Sequence, residues 1–361
     1  MINASSPSPR HAPEAQPLPP PVSERPGGHV QQIVNGVVSF GILLCLAELG
    51  VADHLADRPR NVTDLAELCE ADPEHLHRIL RAATSLGLLR ATGQPGTYAL
   101  TREGRTLRQD LPDSMRPAVL MAADPLWLES IRLLPETVRA GRPALPRPTY
   151  DYLADNPAAG DLFHRFMRTR AIPVAEAIAK LDFRGVRTVV DVGGGGGTVL
   201  GKVLRTHTHC TGVLLERPDV AGIAAQHLAA LGLRDRCTTV EGDFFHSVPE
   251  GADVYLLTSI VHNWSDDDAG LILRNVRKAM ESADRPAQVW CVDLLRPAFP
   301  ARFGPPPMAT ILDVRMLGLF GGGQERSQAE YESLMARNGL KVTRVEPFPN
   351  DMHLMVATLP E

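Results

Sequence analysis

The stretch that decides the fold is "VVDVGGGGGT", residues 189–198. A β-prone run ends in Asp191 and Val192, five glycines follow, and a helix-prone segment begins. Without Cβ atoms the backbone can approach a ligand closely, and the N-terminus of the next helix offers free N–H groups. Five glycines in a plain turn would lose stability without return, so the loop reads as a ligand cradle. The dinucleotide fingerprint needs glycines at i, i+2 and i+5. From Gly193 the third position is Thr198, and later starts give Val199 or Leu200 or miss the second glycine. No Gly-Lys-Ser/Thr follows, so the Walker pattern fails as well. Asp191-x-Gly193-x-Gly195-x-Gly197 does fit, with an acid just before the turn. That acid would repel a pyrophosphate and suit a cationic amino group, which points to S-adenosylmethionine rather than NAD.

Reading downstream, Glu216 ends the next apolar run, 19 residues after Gly197, where an acid hydrogen-bonds ribose hydroxyls. "EGDFF" (241–245) closes the third run and places Asp243 and Phe244 to read an adenine edge and face, beside Gly242. "SIVHNWSDDD" (259–268) ends the fourth with His262, at the carboxyl edge where ligands bind in such sheets. Asp266, Asp267 and Asp268 read as helix N-terminal charges, with Ser265 and Asp268 forming a capping box. Strands are expected at 188–192, 212–215, 237–240, 254–260 and 289–294, and helices at 198–205, 219–231 and 266–281. Such alternation indicates an α/β fold with a parallel, doubly wound sheet. Residues 341–348 and 353–359 lie too close for a crossover helix and should form an antiparallel hairpin at the sheet edge.

Upstream, residues 105–185 are mostly helical, with proline breaks around 143–148. Residues 62–100 look like a winged helix: Thr63 can cap one helix, Pro73 opens a second, and two wing strands flank the Gly93–Gly96 turn. Helix 73–86 sets Arg78 and Arg81 against Glu74, short of the basic stripe that a phosphate-contacting helix needs, so the module reads as packing rather than DNA binding. From Val30 apolar residues recur at helical spacing around much of the circumference, which suggests burial against several partners, including a second subunit. Residues 1–27 hold eight prolines and almost no large apolar residues, and read as a disordered tail.

Composition sets the outer bounds. The chain has 361 residues, 44% hydrophobic and 22% charged, with a formal net charge of −5. This is a globular balance with no bulk attraction to nucleic acid or anionic lipid. The five cysteines are widely spaced and never CxxC, which fits a reducing cytoplasm and no zinc knuckle. The longest apolar candidate for a membrane span, 37–55, is interrupted by Ser39, Glu48 and Asp53. "HTHTHC" superficially resembles a metal site, but no fourth ligand lies near His207, His209 and Cys210, so no metal is expected.

Taken together, "DVGGGGG", "GDFF", "HNWSDDDAGLIL" and "DVRMLGLFGGGQERSQAEY" resemble the class I S-adenosylmethionine-dependent O-methyltransferases of the small-molecule, caffeate type. The resemblance covers nearly the whole chain from about residue 28. It implies a Rossmann-like methyltransferase domain over 186–361, a helical linker over 111–185 that contributes to the acceptor pocket, and a winged-helix dimerisation domain over 28–110. It further implies a homodimer acting on an aromatic or polyketide-like secondary metabolite and releasing S-adenosylhomocysteine. His262 matches the family's base, Asn263 the neighbouring acceptor-orienting position, and Asp293 and Glu325 the flanking acids. Thr258, on the cofactor side, stands where some members carry Lys or Arg, and Glu216-Arg217-Pro218 replaces the frequent Asp-Leu-Pro. Relatives with this architecture also methylate nitrogen or carbon, or perform hydroxylation, decarboxylation or pericyclic chemistry. The acceptor pocket is expected from helix 161–170, through Phe163, Phe166 and Met167, and from helix 308–320, through Met308, Asp313 and Met316.

The acid–base chemistry of this assignment is feasible. Histidine titrates near ~6.5 and a phenol near ~10, a gap of about 5 kcal/mol. Two carboxylates raise the histidine's basicity, and a nearby sulfonium lowers the phenol.

Overall fold

The computed structural model of the chain describes residues 27–297 and 307–361. Apart from Gly27, the expected proline-rich tail lies outside the described residues.

The N-terminal part opens with α1 (Gly28–Glu48). The winged-helix reading is met by β1 (Arg60–Asn61), α2 (Val62–Leu68), α3 (Pro73–Ser85), β2 (Leu89–Ala91) and β3 (Thr97–Leu100). The three strands form a sheet in the order β1-β3-β2. Asn61, not Thr63, caps α2: its Oδ1 accepts from Thr63 N at 2.8 Å, because the helix starts one residue before Thr63. Asp72 caps α3 through His75 N, with Pro73 in the first turn, where its missing N–H costs nothing. Leu46, Val51, Leu65 and Leu80 close the core of this part.

The outer part of α1 is different. Val30, Ile33, Val34, Val37 and Val38 are all exposed, Val37 at 74%. This helix is long and apolar enough to cross a membrane by length and composition alone.

Five short helices between Arg102 and Asp155 lead to α4 (Pro157–Ile178). Alternation then follows: β4 (Thr188–Val192), α5 (Thr198–Thr206), β5 (Thr211–Glu216), α6 (Pro218–Ala230), β6 (Cys237–Glu241), β7 (Val254–Thr258), α7 (Asp266–Glu281) and β8 (Gln288–Leu294). The chain ends in α8 (Met308–Leu319), α9 (Gln328–Arg337), β9 (Lys341–Pro347) and β10 (Met352–Thr358). The seven strands run in the order β6-β5-β4-β7-β8-β10-β9. The first five are parallel, and the terminal hairpin pairs antiparallel on β8, as its short connection requires.

Strand residues alternate between two cores. Val189 packs on one face with α4, α5 and α8; Val190 packs on the other with α7 and α9. The chain leaves β4 to one side through β5 and β6, then returns to its other side as β7. Ligands bind at such a reversal, beyond the carboxyl ends of the strands.

Candidate active site

A cavity of about 1240 Å³ opens at that reversal. A single drug-sized ligand needs roughly 300–1,000 Å³, so two ligands fit side by side. One half is built by the ends of β4 to β7, the other by α4 and α8.

The glycines of the loop serve different ends. Gly193, Gly195 and Gly197 have φ of 69°, 55° and 75°, a left-handed backbone that L side chains rarely adopt. Gly194 has ordinary φ, but a Cβ there would stand 2.5 Å from Asp191 Oδ2. Around Gly195 and Gly196 a Cβ would meet nothing within 4 Å, which leaves that backbone open. The loop is tethered from α6 by His227, whose Nδ1 lies 2.7 Å from Gly196 O. No N-cap side chain closes α5, and of its first N–H groups that of Leu200 reaches the Asp191 carboxylate.

Asp191 is buried, and its Oδ2 has no hydrogen-bond partner. Burial, reinforced by the nearby charge of Glu216, pushes its carboxyl up to about 7. Glu216 ends β5 and accepts from Arg217 N at 3.0 Å; burial pushes it up to about 7 as well. A buried acid and a partly buried one beside an open glycine backbone, with no cation bonded to either carboxylate, suit a ligand that brings its own positive charge. The residues therefore fit S-adenosylmethionine on chemistry as well as shape.

Gly242, Asp243, Phe244 and Thr258 also line this half. Asp243 is tied to its own turn, accepting from Phe245 N at 2.8 Å, with His246 Nδ1 at 3.1 Å from its other oxygen. Phe244 stands edge-on to Trp264, with centroids 5.9 Å apart. Thr258 Oγ1 is buried without a partner.

After β7 the chain turns sharply. Ser259 takes a φ of 55°, and Asn263 Nδ2 donates to its carbonyl at 3.1 Å. The resulting single turn of 3-10 helix, Val261–Asn263, carries His262 into the cavity wall. His262 Nδ1 lies 2.8 Å from Glu325 Oε1, and Nε2 lies 4.0 Å from Asp293 Oδ1. Burial alone would lower this histidine's pKa, but the charge of Asp293 and the bond to Glu325 outweigh it, so the net shift is upward. Burial also raises Asp293, which accepts from Tyr331 Oη at 3.0 Å.

Two helices complete the other half of the cavity. Phe163, Phe166 and Met167 on α4, and Met316 on α8, line the cavity as expected. Met308 and Asp313 do not. Met308 opens α8 and is 51% exposed. Asp313 turns away from the cavity, and its Oδ1 accepts from Glu325 N at 2.9 Å, so it holds the chain that carries Glu325. His207 and His209 spend ring nitrogens on the carbonyls of Ala179 and Phe183, each at 2.9 Å. Among the described residues no group of three His, Cys, Asp or Glu could hold a metal ion.

Sequence reasoning passed over three supports. His227 gives no signal because its loop contact is long-range. Arg326, in "QERS", is buried and donates to Val261 O, Trp264 O and Asp266 Oδ1, pinning the segment on either side of His262. Asp266 thus serves as that arginine's partner as well as a helix N-terminal charge. The third is a pair of cavity arginines, Arg170 and Arg315.

Comparison with known proteins finds relatives along most of the chain. A family model described as an O-methyltransferase domain matches residues 134–341, and one described as an O-methyltransferase dimerisation domain matches residues 31–110. The phenazine O-methyltransferase PhzM of Lysobacter antibioticus is 34% identical over 331 residues, spanning 90% of this chain and 94% of its own length. The aclacinomycin 10-hydroxylase RdmB of Streptomyces purpurascens is 34% identical over 315 residues, spanning 85% of this chain and 82% of its own. The crystal structure of the O-methyltransferase NcsB1 with S-adenosylmethionine and 2-hydroxy-5-methyl naphthoic acid aligns at a TM-score of 0.74 and 30% identity, over 89% of this chain and 96% of that one.

Proposed function

Because this chain belongs to the S-adenosylmethionine-dependent O-methyltransferase family, we propose that its acceptor is a hydroxyl on an aromatic or polyketide-like secondary metabolite, with His262 as the general base. Bound S-adenosylmethionine supplies an electrophilic methyl on its sulfonium. Asp191 and Glu216 would hold its amino and ribose ends, the open backbone at Gly195 would admit it, Asp243 and Phe244 would read its adenine, and Thr258 lines the same half of the cavity. Phe163, Phe166, Met167 and Met316 clamp the flat acceptor, and Asn263 keeps the catalytic turn in shape.

The single observation that carries this reading is the bond from His262 Nδ1 to Glu325 Oε1, at 2.8 Å. A proton held on Nδ1 by that carboxylate leaves a lone pair on Nε2, in a residue that lines the cavity. Nε2 then takes the proton of the acceptor hydroxyl, and Asp293 and Glu325 stabilise the imidazolium that results. Asp293 and Glu325 act through the histidine as positioning and electrostatic groups.

The reading includes a cytoplasmic homodimer and a division of the chain at about residues 110 and 185. The open apolar face of α1, inside the segment matched by the dimerisation model, supports the dimer. The functional test is to incubate the full chain with methyl-labelled S-adenosylmethionine and a panel of hydroxyarenes. One S-adenosylhomocysteine per methylated product is expected. Because a hydroxylase shares the scaffold, product without S-adenosylhomocysteine would overturn the reading.

A further inference from the structure

Arg170 on α4 and Arg315 on α8 line the acceptor half of the cavity, and the chemistry above uses neither. Among the described residues neither guanidinium donates a hydrogen bond or forms an ion pair. Arg170 does lie over the Phe166 ring, 5.7 Å from its centroid. Both are pushed down by burial, and the charge of Arg315 lowers Arg170 further. The charges of Asp293, Glu325 and His262 are all felt at Arg170 or by it, so the pair stands within electrostatic reach of the base.

The placement is systematic. Phe163, Phe166, Met167 and Arg170 follow i, i+3, i+4, i+7 spacing on one helix, and Leu312, Arg315, Met316 and Leu319 follow it on the other. Each helix thus sets one partly buried arginine among apolar residues of the cavity wall, while Arg165 and Arg168, which also line the cavity from α4, are exposed. A partly buried cation with no hydrogen-bonded counter-charge is costly unless a ligand brings the anion, and a guanidinium matches a carboxylate's geometry.

We propose that the acceptor carries a carboxylate beside its hydroxylated ring, and that Arg170 and Arg315 bind it, so that the substrate class is an aromatic hydroxy acid. This rests on the methyl-acceptor reading above. The rival role, in which the two arginines merely balance Asp293 and Glu325, makes a different prediction: substitution would move the pH profile of His262 and leave ligand preference alone.

The test uses binding, so that it stands apart from turnover. The full chain loaded with S-adenosylhomocysteine is titrated calorimetrically with 3-hydroxy-2-naphthoate, with its methyl ester and with 2-naphthol. The acid is expected to bind about 10- to 100-fold tighter than the ester, the range of charge-assisted hydrogen bonds. Arg170→Gln and Arg315→Gln should each collapse that preference without changing the affinity for S-adenosylhomocysteine, whereas Arg139→Gln, on the surface, should preserve it. Equal binding of acid and ester, no binding of the acid at millimolar concentration, or a preference that survives both substitutions would overturn the proposal. A preference for the acid with no methyl transfer to any acceptor would overturn the proposed function and leave the anion site standing.

Discussion

His262 and Glu325 are 63 residues apart in the chain, and Nδ1 of one lies 2.8 Å from Oε1 of the other, both buried. The carboxylate fixes which ring nitrogen holds the proton and raises the histidine's pKa. The base must be neutral to act, so activity rises as pH climbs through that pKa. Glu325→Gln removes the charge and lowers the pKa. The acidic limb of kcat/KM should therefore move to lower pH while the plateau falls, because the amide no longer stabilises the imidazolium. A limb that stays in place in a pH–rate series would count against this role.

Removing the base itself separates chemistry from binding. His262→Ala should lower kcat by ~10²–10⁴, the ordinary worth of a positioned general base. The calorimetric affinity for S-adenosylhomocysteine should hold, since Asp191, Glu216 and the glycine loop are untouched. Near-native transfer to the true acceptor would sink the assignment.

The two cofactor-side acids predict a pH-dependent affinity. Asp191 and Glu216 are each pushed up to about 7, so both are largely neutral below that pH and ionised above it. The ligand's ammonium group and ribose hydroxyls favour the ionised acids, and binding draws protons off. Affinity for S-adenosylhomocysteine should therefore rise between pH 5.5 and 7.5, by up to about tenfold per unit for each acid engaged. Calorimetry at the two pH values in buffers of different ionisation heat should also show proton release. A flat affinity across that interval would remove the acids from the cofactor's charge.

What the sequence disclosed and what it hid follow from the range of the interactions. The strands, the reversal beside β4 and the edge hairpin are local patterns of period and connection length, and the helix of 266–281 emerged with the expected bounds. The place of His262 at the cavity wall was legible from its position just past a strand, although the strand ends at Thr258 and a 3-10 turn aims the side chain. Glycine roles were legible only in aggregate: Gly194 is needed by Asp191 rather than by a ligand, which takes a distance to know. Met308 and Asp313 were misplaced because α8 carries apolar residues on every side, so its sequence does not reveal the cavity face. Arg170, Arg315 and Arg326 read as ordinary solvated charges until the packing around them is seen.

The open face of α1 predicts its own partner. Val30, Ile33, Val34, Val37 and Val38 are exposed in one chain, and each such side chain gains about 1.5–3 kcal/mol when buried. A second copy supplies that burial, so light scattering should return the mass of two chains. Val34→Asp with Val37→Asp places charges in the seam and should shift the protein to a single-chain mass. A wild-type mass of one chain would refute the dimer outright.

Arg326 offers the sharpest test of how the catalytic turn is held. Its guanidinium donates to Val261 O at 3.2 Å, to Trp264 O at 2.9 Å and to Asp266 Oδ1 at 2.8 and 2.9 Å, and it sits 5.9 Å from the Tyr331 ring centroid. Asp266 is about half-exposed, so solvent screens that pair; the two backbone carbonyls and the filled volume matter more. Arg326→Met fills most of the volume but strands those carbonyls, and removing one partner of a buried network costs about 3–5 kcal/mol at most. At about 2–4 °C per kcal/mol, the conversion for domains of roughly 150–250 residues, Tm should fall by roughly 6–20 °C. Lysine keeps the charge but not the planar fork, so Arg326→Lys should rescue only a small part of the loss. Because Val261 and Trp264 bracket His262, kcat should fall with Tm even well below melting, while affinity for S-adenosylhomocysteine stays. Loss of stability with kcat intact at low temperature would mean that Arg326 supports the fold and not the placement of the base.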